Sequence, residues 1–130
     1  EDYIAVCATS HQFNKEPHTI HDLISEHLLV REKGSGTRNI LEQSLIAHGL
    51  HLSNFTHYTQ VENMHTIMNL LKKDCGISFL YKIAVEKELK SKELKEITLD
   101  DFKLQHDFDI IWEKESIYTD KYLSISEEFI

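Results

Sequence analysis

The chain has 130 residues, 41% of them hydrophobic and 28% charged, with a formal net charge of -8 and a pI near 5.5. This is the ordinary range for a folded globular domain, long enough to bury roughly two-thirds of the surface its unfolded form would expose, and it excludes the polar bias of a disordered segment. The acidic balance also excludes a clustered basic face for gripping a phosphate backbone, so any duplex contact is expected outside this segment.

No apolar run approaches the length of a membrane span, and the opening Glu1-Asp2-Tyr3 resembles neither a signal peptide nor a natural start, as expected of a fragment. Cys7 and Cys75 are each isolated among apolar residues, which suits small buried hydrophobes in a reducing, cytoplasmic compartment. A disulfide framework is excluded; a single bridge is left open.

Residues 3–8 (YIAVCA) read as a buried strand. Thr19 and Asp22 stand at capping-box spacing and open a short helix carrying Leu23 and Ile24, after which residues 28–32 (LLVRE) form the next strand. From Thr37 to His48, Ile40, Leu41, Ser44, Leu45 and Ala47 fall along one helical stripe, and Gly49 followed by Leu50 supplies the stop. Residues 55–61 (FTHYTQV) are aromatic and β-branched, hence a strand.

Asn63 caps the clearest helix, where Met64, Ile67, Met68 and Leu71 follow the i, i+3, i+4, i+7 rule. Gly76 ends it before the strand 77–80 (ISFL), a short helix follows around 83–89, and a strand near 94–99 comes next. Residues 107–113, with Phe108, Ile110 and Trp112 on one face, predict a further strand, and Thr119 a last helix bearing Tyr122, Ile125 and Phe129. Such alternation predicts an α/β fold with a mainly parallel sheet and helices on both faces, where ligands bind at the carboxyl ends of strands.

The loop from Lys33 to Arg38 joins a strand's carboxyl end to a helix's amino end. Unpaired backbone N–H groups there, with the helix dipole, favour an anion. Ser35 and Thr37 add hydroxyl donors, Gly34 and Gly36 let backbone approach a ligand, and Lys33 and Arg38 raise the local potential. The plainer reading is a turn in which Ser35 or Thr37 merely caps the helix. Asn63, also following a strand, is either a cap or a second wall of the same crevice.

No Lys follows the last glycine and no Gly-x-Ser-x-Gly elbow is present, so nucleotide hydrolysis and serine catalysis lack their motifs, and no catalytic residue is assigned. His18/His21 and His48/His51 lack a convincing third ligand and read as solvated surface, and Asp100-Asp101 and Glu127-Glu128 as surface charge, so neither metal nor cofactor is expected.

These residues also carry a resemblance. Arg31-Glu32-Lys33-Gly34-Ser35-Gly36-Thr37-Arg38, then Leu41, Leu45 and Gly49-Leu50, resembles the Arg-Glu-x-Gly-Ser-Gly-Thr-Arg helix of LysR-type regulator sensing domains. Ile67 to Leu71, Gly76-Ile77-Ser78-Phe79-Leu80, and Ala84-Val85 to Glu93-Leu94 are similar to the family's later elements in the same order. Three features depart: Tyr81 stands where Pro is frequent, Lys73-Asp74-Cys75 replaces a Gly-rich helix end, and Lys92 replaces a frequent Gly. They bear on local loop shape.

The resemblance implies a type 2 periplasmic-binding-protein-like lobe, 1–111, as the second of two, with 112–130 returning toward a first lobe outside this chain. It further implies an effector between the lobes; with the helix starts read above, the expected guest is a small anion and the candidate contacts are Ser35, Gly36, Thr37, Arg38 and Asn63. Duplex binding would fall to an N-terminal winged helix-turn-helix, and the domain would self-associate. The alternatives are a transporter's solute-binding protein of the same fold, selected by an upstream signal peptide, and a small-molecule dehydratase, which would need a general acid or base in the cleft.

Overall fold

The computed structural model describes residues 2–102 and 104–105. The strand over Asp2–Ala8, β1, is apolar on both faces and buried from Tyr3 onward. A chain of this kind is stable only with a layer on each side, and the sequence supplies both. Tyr3, Ala5 and Cys7 point to one core, joined by Leu41 and Leu45, whereas Ile4 and Val6 point to the other, joined by Ile67, Leu71 and Val85.

The remaining strands are β2, His27–Val30; β3, His57–Gln60; β4, Ser78–Tyr81; β5, Leu94–Ile97; and β6, Leu104–Gln105. The helices are α1, Gly36–Ala47; α2, Met64–Lys72; and α3, Lys82–Lys90, with α1 on one face of the sheet and α2 and α3 on the other. β1 lies between β4 on one edge and β5 and β6 on the other, antiparallel to all of them. β2 pairs in parallel with β3 and joins β4 through a parallel bridge from Leu28 to Ile77.

The strands other than β1 therefore run one way and β1 runs against them. The sequence pattern marks β1 as buried but carries no sign of direction, because a strand apolar on both faces looks alike from either end. β2, β3 and β4 each lead into a helix at the same edge, which gathers the amino ends of α1, α2 and α3 beside the head of β1.

Local chemistry agrees with most of the predicted elements. Gly49 closes α1 as expected: its N–H donates to Ile46 O, and Leu50 N–H reaches back to Leu45 O. Within α1, Leu41 and Leu45 are buried and Ala47 is exposed. The helix expected at Thr19 is a 3-10 turn, Ile20–Leu23, where the Asp22 carboxylate accepts from the His18 and Thr19 N–H groups; those bonds hold its pKa below the usual value. β3 is shorter than the expected 55–61, and its four side chains are exposed because it is an edge strand among the described residues.

The cysteines separate. Cys7 is buried and its thiol is pushed up to about 12, chiefly by burial, whereas Cys75 is exposed, against the expectation of two buried hydrophobes. Both are free, which closes the question of a bridge. The expected strand 107–113 and final helix lie outside the described residues, as does Glu127-Glu128. No helix among the described residues is long and apolar enough to cross a membrane.

Two of the departures from the family pattern have a visible consequence. Among the described residues, Asp74 and Lys92 are the non-glycine residues with positive φ, at 59° and 66°, following α2 and α3. The left-handed turn that glycine makes without cost is made here by residues with a Cβ, at about 1–2 kcal/mol each. Lys92→Gly is expected to raise unfolding stability by about 0.5–1 kcal/mol after glycine's greater unfolded freedom is subtracted. Denaturant unfolding measures this, and an unchanged or lower midpoint would count against strain at Lys92.

Gly76 is constrained differently. A Cβ there would sit 2.5 Å from the His27 carbonyl oxygen, because Ile77 N–H donates to that oxygen at 2.8 Å while Leu29 N–H donates to Ile77 O at 2.8 Å. Ser78 adds its hydroxyl to Leu29 O at 2.7 Å. Gly76→Ala must part β2 from β4 and is expected to cost about 1–3 kcal/mol, as overpacking does. Gly36→Ala, where a Cβ meets nothing within 4 Å, is the control and should be near neutral.

His48 was expected on solvated surface, yet it is a fastening. Nδ1 lies 2.8 Å from Ser44 O and Nε2 lies 2.7 Å from Asp101 O. Both partners are acceptors, so the ring satisfies both only when each nitrogen carries a proton. The Ser44 and Asp101 bonds raise its pKa above 6.5. A raised folded-state value means that the stabilisation is full below the unfolded pKa and is lost as pH climbs through the folded one. Thermal melts between about pH 6 and pH 8 are expected to fall more steeply in the wild type than in His48→Gln, and parallel curves would show that the charge contributes nothing.

Candidate functional site

The turn after β2 brings the predicted residues to the carboxyl edge of the sheet. Gly34 takes φ 93° and reverses the chain, and Ser35 N–H donates to Glu32 O at 3.1 Å. Ser35 is the N-cap of α1, its hydroxyl accepting from Arg38 N–H over a long 3.4 Å, and it lies 2.9 Å from the Thr37 hydroxyl. The two hydroxyls thus form a pair at the helix start, both half-buried, beside exposed Gly36.

Thr37 is held from below. The hydroxyl of Tyr3, at the head of β1, donates to Thr37 O at 2.9 Å. Tyr3 is buried and stacks edge-on against Tyr81 at the end of β4, with ring centroids 5.5 Å apart. Burial, reinforced by Tyr81, pushes its phenol well above the usual value, so it stays a neutral donor. Thirty-four residues separate Tyr3 from Thr37, and no local signal could have joined them.

Arg38 is 6% exposed. Its Nη1 donates to Arg31 O and to Gln60 Oε1, each at 3.0 Å, and its Nε to Glu42 Oε2 at 3.0 Å. Gln60, at the end of β3, is the neighbour that sequence reading missed. Arg31 is paired with Glu32 at 3.1 Å, and the Glu32 carboxyl is held below its usual pKa by its own backbone N–H and by Arg31. Lys33 is exposed.

Asn63 is exposed and caps α2, its Oδ1 accepting from His65 N–H at 2.7 Å and Thr66 N–H at 3.2 Å. The cap leaves its Nδ2 hydrogens out of use. The structure therefore brings Ser35, Gly36, Thr37 and Arg38 into one turn and places Asn63 at the next helix start along the same edge. Among the described residues no group of three or more His, Cys, Asp and Glu side chains is gathered as a metal site.

An α/β unit with hydroxyls and helix amino ends collected at strand carboxyl ends fits the type 2 periplasmic-binding-protein-like fold class, in which that edge is where ligands bind. The chain belongs to the LysR substrate binding domain family, whose model matches residues 1–120. It is 26% identical over 99 residues to the HTH-type transcriptional regulator YeiE of Escherichia coli K12, covering 76% of this chain and 33% of YeiE.

Among solved structures, the Synechocystis PCC6803 CcmR regulatory domain in complex with 2-PG matches with a TM-score of 0.65 at 24% identity, over 78% of this chain and 49% of that one. The effector binding domain of QuiR in complex with shikimate matches with a TM-score of 0.59 at 22% identity, over 82% of this chain and 48% of that one. The chain spans about a third of the YeiE regulator and about half of each regulatory domain.

Proposed function

We propose that this chain is the second lobe, 1–111, of the effector-sensing domain of a LysR-type transcriptional regulator, with 112–130 returning toward the first lobe. The lobe binds a small anionic metabolite in the inter-lobe cleft and performs no chemistry on it, using no cofactor. Ser35, Gly36, Thr37 and Asn63 supply the contacts, and Arg38 contributes its positive charge to the wall behind them. The intact regulator works in the cytoplasm, self-associates, and meets DNA through an N-terminal winged helix-turn-helix rather than through this acidic lobe.

The observation that carries this reading is the Ser35–Thr37 hydroxyl pair, 2.9 Å apart at the amino end of α1. Two hydroxyls at a helix's amino end, able to reorient, suit an oxyanion. The shikimate held by QuiR, a carboxylate, supports the same class of guest, as a matter of shared fold.

The test is a screen of small carboxylates and oxyanions against the intact regulator by thermal shift, followed by calorimetric titration of Thr37→Val with the best of them. Losing a hydroxyl bond to a charged ligand is expected to weaken affinity roughly ten- to 150-fold, about 1.5–3 kcal/mol. A variant that melts earlier but binds as tightly as wild type would make Thr37 a structural residue and end this assignment.

A further inference from the structure

We propose that Arg38 is a positioning residue, coupling the two helix starts of the site by holding the end of β3 against the first turn of α1. The proposal rests on reading the Ser35–Thr37 turn as a binding wall, although the coupling itself is measurable without any ligand.

A guanidinium only 6% exposed must be paired, and here the acceptors come from three segments. Arg31 O marks the exit from β2, Gln60 Oε1 the end of β3, and Glu42 Oε2 the next turn of α1. An occupant that took the Arg38 charge directly would have to displace these partners. Left in place, they fix a plane, because the guanidinium fork is rigid where a lysine ammonium is not.

β3 needs such a fastening. It lies at the sheet edge among the described residues and its four side chains are exposed; on its one paired side it is tied by the ladder to β2, with Gln60 opposite Val30, by Val61 N–H to Val30 O and by buried Val61. Three residues beyond Gln60 stands Asn63, the cap of α2. A shift of the first turn of α1 on ligand capture is thus carried through Arg38 and Gln60 to the second helix start.

Amide hydrogen exchange on the full chain without ligand tests this, with unfolding midpoints measured in parallel. Gln60→Leu alters an exposed side chain but removes one acceptor of a buried guanidinium, and is expected to lower the midpoint only modestly. It should nevertheless accelerate exchange at Arg38 and Asn39 on one side, and at Val61 and His65 on the other, together and by roughly tenfold. Arg38→Met should accelerate the same two stretches, Arg38→Lys should fail to restore them, and Gln60→Glu, which keeps an acceptor, should retain wild-type rates.

The double variant Arg38→Met/Gln60→Leu should be no faster than the quicker single one, since both remove one connection. Acceleration confined to one side, additive effects, or full rescue by Arg38→Lys would overturn the proposal. If Arg38→Met does not fold, the contrast between Gln60→Leu and Gln60→Glu decides the matter alone. Titration with inorganic sulfate keeps the two ideas apart: coupled exchange in a protein that binds no sulfate upholds the brace and removes its support from the binding wall.

Discussion

β1 has hydrogen-bonding partners on both edges, and they come from distant parts of the chain: β4 along Tyr3 to Val6, β5 along Ala5 to Ala8, and β6 at Asp2 and Tyr3. A strand buried on both faces leaves no water to satisfy its amides, so each of these ladders is obligatory. Its two rows of side chains also divide the molecule into its two cores, one closed by α1 and the other by α2 and α3. Because β1 runs against its neighbours, its amino end lies at the edge where they end. That places the hydroxyl of Tyr3 under Thr37.

The site is a consequence of that edge. Three parallel strands each turn into a helix there, so helix amino ends gather at one edge, where Arg31 is partnered by Glu32 and Arg38 by Glu42. The result is a cluster of helix amino ends in an acidic chain. On the proposed function, an anion would meet backbone and hydroxyl dipoles there with one buried charge behind them, and without a broad basic surface.

Much of this was legible in the sequence where the signal was local. The apolar run of β1, the Met64, Ile67, Met68 and Leu71 stripe of α2, the Gly49 stop and the Ser35 and Asn63 caps each depend on residues within a turn of one another. What stayed hidden depends on separation. Tyr3 and Thr37 meet across 34 positions and Arg38 and Gln60 across 22, and no pattern within either segment names the other. His11 is a similar case: its ring lies between Asp74 at 2.6 Å and Glu26 at 2.8 Å, a contact set by the sheet rather than by spacing. Burial of Cys7 and exposure of Cys75 likewise follow from topology, since both had apolar neighbours in sequence.

The capping and binding readings of the two helix starts differ in what an occupant must displace. Ser35 accepts from Arg38 N–H over 3.4 Å, long enough that little is lost if its hydroxyl turns outward, and Thr37 can follow it because the two are bonded to each other. Asn63 holds two N–H groups on Oδ1, one at 2.7 Å, and breaking that cap would cost about 1 kcal/mol or more. Its Nδ2 hydrogens are outside the cap and can be donated at no such cost. On the proposed function the two helix starts would serve different roles toward one anion: Ser35 and Thr37 as hydroxyls that reorient on capture, and Asn63 as a fixed amide that keeps its helix capped while it donates. Capping is thus compatible with the proposed binding at both positions, and at Asn63 it would hold the donor still.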